Sequence, residues 1–213
     1  MSSTIVKICG LSSPETLLAA IEAGADMAGF VFFEKSPRHI DLETARTLGL
    51  LAEGRIGKVA LTVDADDAAL REIIDALAPD YLQLHGKESP ARVAEVKARF
   101  GLPVIKAAGV ATAADVEAAR TYEGVADIIL FDAKPAPDAP VPGGAGVAFD
   151  WTLLRGVTAK DWMLSGGLDP NNVAEAIRRT GARAVDVSSG VERERGVKDV
   201  AKIAAFVKAA RLS

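Results

Sequence analysis

The chain has 213 residues, 49% of them hydrophobic and only 5% aromatic, with a formal net charge of −4. That composition supplies ample core, while the lack of a basic balance and the scarcity of rings weigh against a nucleic-acid partner. One cysteine permits no internal disulfide, the N-terminus lacks a signal-peptide pattern and no apolar run approaches a membrane span, so a cytoplasmic protein with no membrane partner is expected.

Apolar strand candidates begin near Ile5, Ala28, Lys58, Tyr81, Val104, Ile128, Trp162 and Ala184. Helical signals lie between them. Ser13-Pro14 and Ser89-Pro90 each place a capping serine before a proline at the first helical position. Asp41 or Leu42, Ala65-Asp66, Thr112, Asn171 or Asn172, and Lys198 open the other helices. Gly24, Gly101, Gly124 and Gly181 close helices just before the next strand. Strands alternating with helices indicate a parallel sheet. The strands follow one another too closely for a second domain, except between Ile128 and Trp162. There the run from Lys134 through Gly146 reads as a long loop able to close over a ligand. An open doubly wound sheet is the rival, but no G-x-G-x-x-G follows the first strand. The expected fold is therefore a single α/β (β/α)8 TIM barrel spanning residues 1–213, with its active site at the strand C-termini.

The segment from Trp162 to Glu192 is the most informative. It reads as strand, Gly166-Gly167 turn, helix, strand, then a Ser188-Ser189-Gly190 turn. Glycine lets the backbone come close to a bulky ligand. A short helix after the second turn would offer its N-terminus to an anion. Paired loops of this kind after strands 7 and 8 are where a barrel binds phosphate.

Side chains alternate along a strand, so polar residues among apolar ones point to the barrel axis. This parity turns Lys7 and Cys9, Gln83 and His85, Lys106, Asp132 and Asp186 inward, near the C-terminal end. One Lys–Asp pair would be structural, since buried charge needs a partner. Two lysines, two aspartates, Gln83 and His85 together form a site. Cys9 reads either as a core residue or as a thiol whose ionisation Lys7 assists. Arg38, in Ser36-Pro37-Arg38-His39, is either a solvated loop residue or a carboxylate clamp. Two histidines cannot by themselves support a His-based metal centre, so no metal is expected.

Lys7-Ile-Cys-Gly10, Ser36-Pro-Arg38, Gln83-Leu-His-Gly86, Phe131-Asp132 with Lys134, Gly166-Gly-Leu168, and Asp186-Val-Ser-Ser-Gly-Val-Glu192 resemble the phosphoribosylanthranilate isomerase family, in order and over nearly the whole chain. The resemblance implies a cofactor-independent (β/α)8 enzyme of tryptophan biosynthesis. Its reaction converts N-(5-phosphoribosyl)anthranilate to 1-(2-carboxyphenylamino)-1-deoxyribulose 5-phosphate. It implies Cys9 as general base and Asp132 as general acid, Arg38 on the anthranilate carboxylate and Asp186 on the sugar hydroxyls. Lys7, Gln83 and His85 complete the substrate site, and Gly166, Gly167, Ser188, Ser189 and Gly190 take the phosphate. Ala133 and Ala145 stand where the family has threonine, and Thr62, at one pocket wall, where an aromatic is usual. The partner expected is a small phosphosugar, bound by a monomer or a homodimer. The rivals are a non-catalytic phosphosugar-binding barrel, a metal-dependent pentose-phosphate epimerase, and a two-phosphate isomerase, for which a second glycine-rich clamp is missing.

Overall fold

A computed structural model describes residues 4–134, 149–157 and 161–212. Eight parallel strands, β1 (Ile5–Cys9), β2 (Met27–Phe32), β3 (Gly57–Thr62), β4 (Tyr81–Leu84), β5 (Val104–Val110), β6 (Ile128–Ala133), β7 (Trp162–Leu164) and β8 (Ala184–Val187), close into a barrel in sequence order. The ring is sealed where Lys7 of β1 lies opposite Asp186 of β8. The helices are α1 (Pro14–Glu22), α2 (Leu42–Ala52), α3 (Asp67–Leu77), α4 (Pro90–Phe100), α5 (Ala113–Ala119), α6 (Val173–Thr180) and α7 (Val200–Arg211). Between β6 and β7 the described residues carry only a 3-10 turn, Trp151–Leu154. The long loop expected from Lys134 to Gly146, with Ala145 in it, lies outside the described residues beyond Lys134 itself.

The caps follow from residue chemistry. Ser13, Asp41, Asp66, Ser89, Thr112 and Asp199 each accept an otherwise orphaned backbone N–H in the first turn of their helix. The last helix therefore starts after Asp199, not at Lys198. Lys198 belongs to a small antiparallel hairpin, β9 (Glu192–Glu194) with β10 (Val197–Lys198), which follows the β8 loop.

Two apolar layers result from strand parity. Val6, Ile8, Phe30, Leu82, Ile129, Phe131, Leu164 and Val187 face the helices in one continuous core. Met27, Val59, Ile105, Ala107, Leu130, Met163 and Ala184 fill the barrel interior. Ile105 is thus inward, and its neighbour Lys106 points outward, against expectation. The strand is apolar on both faces, Val104, Ile105, Ala107 and Ala108 flanking the lysine, so alternation does not define its inward side. Lys106 is buried behind β4, its Nζ donating to the carbonyls of Leu84, Gly86 and Ala107 and to Glu88 Oε2 at 3.0 Å. Thr62 pairs in register with Leu84 and Phe32, both on the helix side, so it forms no wall of the interior.

Candidate active site

Above the apolar floor, the inward side chains at the exits of β4, β6, β7 and β8 are polar, as is Lys7 of β1. Lys7 is fully buried and its Nζ donates to Asp186 Oδ1 at 2.7 Å, while Ser165, just past β7, donates to Asp186 Oδ2 at 3.1 Å. Burial alone would pull the Lys7 ammonium down, but Asp186 and Cys9 outweigh it and hold it above its usual range. Ser165 has no place among the expected site residues. Its signal was its parity, inward like Asp132 and Asp186, at the end of an apolar strand.

Cys9 ends β1 beneath a short apolar wall of Val31, Leu61, Phe33 and Val63. Gly29, beside it on β2, leaves the space: a Cβ there would lie 2.9 Å from Cys9 Sγ and 3.2 Å from Lys7 Nζ. A glycine inside a strand marks such a close approach. Burial pushes the Cys9 thiol up, and Asp186 adds to this, against the opposing pull of Lys7 and Lys198. The expected lowering by Lys7 is therefore outweighed in the free protein, chiefly by burial and then by the Asp186 charge.

Asp132, from β6, has Oδ1 accepting the N–H of Ala133 at 2.9 Å and Oδ2 3.4 Å from His85 Nε2. His85 Nδ1 lies 3.0 Å from Gln83 Nε2. The order β6-β7-β8-β1 places two strands between the exits of Asp132 and Cys9. They flank the barrel mouth instead of touching.

The remaining expected residues gather around the β8 exit. Arg38 is buried and grips Glu192 with its fork, Nε to Oε1 at 2.6 Å and Nη2 to Oε2 at 2.9 Å. Two of its donors thus already hold a carboxylate of this chain, so it is neither solvated nor wholly available to a ligand. Lys198 Nζ donates to Glu192 Oε1 at 2.7 Å and to Ser188 O and Oγ at 2.8 and 3.1 Å. Ser188 Oγ donates in turn to the Cys9 carbonyl at 3.0 Å. Glu192 is held down to about 2: burial opposes this, but Arg38 and Lys198 prevail. Burial, with Glu192 resisting, draws the Lys198 ammonium below its usual range. Glu192 and Lys198, which join Arg38 to the β8 exit, were not among the expected site residues. The signal was a charged pair flanking a short segment directly after Ser-Ser-Gly.

The two expected phosphate loops lie against each other. A Cβ on Gly190 would fall 1.9 Å from Leu168 O, and one on Gly166 would fall 2.5 Å from Ala133 N. Gly190 therefore serves loop-to-loop packing first. After Ser188 the backbone makes only a 3-10 turn, Ser189–Val191, in place of the short helix anticipated. Gly167 O accepts from Asn172 Nδ2 at 2.8 Å, which fixes the β7 loop to the start of α6. Among the described residues no helix is long and apolar enough to cross a membrane.

The family model described as N-(5'phosphoribosyl)anthranilate (PRA) isomerase matches residues 6–209. The chain is 58% identical over 212 residues to the N-(5'-phosphoribosyl)anthranilate isomerase of Rhodopseudomonas palustris (strain HaA2), covering 99% of this chain and 97% of that one. The crystal structure of phosphoribosyl anthranilate isomerase from Thermotoga maritima superposes with a TM-score of 0.88 at 36% identity, over 99% of this chain and 100% of that one. A phosphoribosyl anthranilate isomerase in complex with reduced 1-(o-carboxyphenylamino)-1-deoxyribulose 5-phosphate superposes with a TM-score of 0.86 at 34% identity, over 99% and 100% of the two chains. With the barrel closed in the same order and the match running end to end, the chain belongs to the N-(5'-phosphoribosyl)anthranilate isomerase family.

Proposed function

We propose that the whole chain, as one catalytic barrel, converts N-(5'-phosphoribosyl)anthranilate to 1-(o-carboxyphenylamino)-1-deoxyribulose 5-phosphate in tryptophan biosynthesis, with Asp132 as acid and Cys9 as base. The observation that carries this reading is the placement of one carboxyl and one thiol at the same barrel end, separated by two strands. An aldose–ketose rearrangement of an amino sugar asks for just such a pair. Asp132 gives a proton to the ring oxygen as the C1–O bond breaks, leaving an iminium cation. Cys9 removes the proton from C2, and the electrons run into the iminium to form an enolamine. The enolamine tautomerises to the ketone. The iminium is its own electron sink, so an acid and a base suffice.

The thiol holds its proton in the free protein, but the cation formed beside it in the reaction favours the thiolate, as an opposite charge does for any acid. Asp186, held by Lys7 and Ser165, suits the sugar hydroxyls, and the β7 and β8 loops suit the phosphate. Binding energy from that remote phosphate can orient the reacting carbons. With one cysteine and no internal disulfide, the chain suits a reducing cytoplasm.

The test is a fluorescence assay on freshly made substrate, followed by solvent deuterium at C2 of the product. Turnover with exchange is expected in the wild type. Cys9→Ala and Asp132→Asn should each lose about 10²–10⁴-fold in kcat, the contribution of one positioned acid or base. Wild-type turnover and exchange in Cys9→Ala would remove Cys9 as base. A protein that binds the phosphosugar without turning it over would instead favour the non-catalytic barrel.

A further inference from the structure

Gln83, His85 and Asp132 form a line across the barrel mouth, and one atom in it is out of place. Gln83 is fully buried, its Nε2 is 3.0 Å from His85 Nδ1, and its Oε1 is buried without a hydrogen-bond partner. An amide nitrogen can only donate, so in this arrangement Nδ1 carries the lone pair. A neutral ring then has its proton on Nε2, the nitrogen that lies 3.4 Å from Asp132 Oδ2 without closing a hydrogen bond to it. Asp132 Oδ1 already accepts from the Ala133 amide. Oδ1 is thus occupied by a fixed donor, and Oδ2 is the oxygen left open toward the His85 ring.

A half-turn of the Gln83 amide reverses every role. The orphaned oxygen then accepts a proton from Nδ1–H, Nε2 becomes the acceptor, and the group it accepts from is the protonated carboxyl of Asp132. The two arrangements differ by one proton, held in the Asp132–His85 pair. We infer that Gln83 is a positioning residue for the acid: its amide sets the His85 tautomer and thereby whether Asp132 is charged with a proton or spent.

This rests on the reading of Asp132 as the acid and of Cys9 as the base. In that reaction Asp132 loses one proton to the ring oxygen and Cys9 gains one from C2. Turnover therefore leaves a distribution with the proton on Cys9 and none on Asp132. Resetting it moves one proton from Cys9 to Asp132 through solvent. Among the described residues, the other charges at the barrel mouth do not enter the line. Lys7 and Asp186 bond to each other, with Ser165 on the second oxygen of Asp186, and Lys198 and Arg38 are bound to Glu192. Lys106 lies outside the barrel.

The experiment uses the two-histidine composition of the chain. In protein labelled with 15N-histidine, with the exposed loop residue His39 changed to Asn, long-range proton–nitrogen correlation reports His85 alone. The free protein is expected to show the proton on Nε2. Gln83→Leu removes the donor and should mix the tautomers. Gln83→Glu, whose carboxylate can only accept, should place a proton on Nδ1. In both variants kcat is expected to fall about tenfold, part of the about 10²–10⁴-fold that a positioned acid supplies. If burying a carboxylate prevents Gln83→Glu from folding, Gln83→Leu decides alone. The same His85 proton position in wild type and folded variants would overturn the inference. A wild-type protein lacking isomerase activity would overturn the acid–base reading instead, and the tautomer result would stand apart from it.

Discussion

Replacing Lys7 by methionine tests the polar centre of the barrel most directly. The substitution keeps the bulk of the aliphatic stem and deletes one charge of a pair in which the two side chains are 0% and 6% exposed. Among the described residues, Asp186 would keep only the Ser165 hydroxyl as a side-chain donor. Removing one partner of a buried pair leaves an uncompensated charge and costs about 3–5 kcal/mol. For a chain of this size each kcal/mol moves the melting temperature by roughly 2–4 °C, so a drop of about 6–20 °C is expected. Restoring neutrality by Lys7→Met with Asp186→Asn should recover part of the loss, so the double variant should melt above Lys7→Met alone.

The same variants carry a second readout, because Cys9 is the only thiol in the chain. Lys7 favours the thiolate and Asp186 opposes it, so the two single variants should move the thiol in opposite directions. The pH midpoint of alkylation should rise in Lys7→Met and fall in Asp186→Asn. Equilibrium unfolding in urea and the pH dependence of alkylation measure both effects. Strict additivity of the stability changes, or a shift of the same sign in both single variants, would refute the coupling of Lys7, Asp186 and Cys9.

Other outcomes follow from single contacts. Gly190→Ala should destabilise the β8 loop outright, because its Cβ would meet Leu168 O at 1.9 Å; a melting temperature within a degree of wild type would contradict this. Glu192, held at about 2 in the fold, contributes stability that is fully present above its unfolded value near ~4.3 and is lost as pH falls toward 2. That slope, worth about 3 kcal/mol over the window, should be missing in Glu192→Gln, as acid titration of stability would reveal. Lys106→Met should cost stability through the unpaired Glu88 yet leave the substrate KM nearly unchanged, since Lys106 lies outside the barrel. Turnover should survive exhaustive chelation, and restoration of a lost activity by zinc would support the epimerase reading.

Much of this was legible in the residues, for definite reasons. Strand starts were found to within one residue because each strand is a short apolar run bounded by a glycine-closed or capped helix. The inward set Lys7, Cys9, Gln83, His85, Asp132 and Asp186 followed from parity because each strand concerned alternates polar with strongly apolar positions. Lys106 was misplaced for the complementary reason. Val104, Ile105, Ala107 and Ala108 are apolar on both sides of it, so parity had no reference, and the acceptors that hold it are mostly backbone carbonyls invisible in sequence. The grip of Glu192 on Arg38 joins residues far apart in the chain, which no local pattern encodes. The proline- and glycine-rich segment after Lys134 lies outside the described residues.

The aspartates show why the same side chain is structural at one barrel end and chemical at the other. Asp26, Asp80 and Asp127 each stand one residue before an even-numbered strand. Each accepts a backbone N–H from the strand before it, Val6 at 2.7 Å, Lys58 at 2.7 Å and Val104 at 2.8 Å. The same three residues donate their own amides back to the carbonyls of Val6, Lys58 and Val104. Backbone donors are always present, so these carboxylates bind their partners at every stage and seal the strand entrances in pairs. At the exits, Asp132 has one such donor, the adjoining Ala133 amide, and its other oxygen faces an imidazole whose proton can move. An acid has to meet a partner that can change from donor to acceptor, and a backbone amide cannot. The difference between the two ends therefore lies in the partners: fixed donors below, a titratable ring and a rotatable amide above.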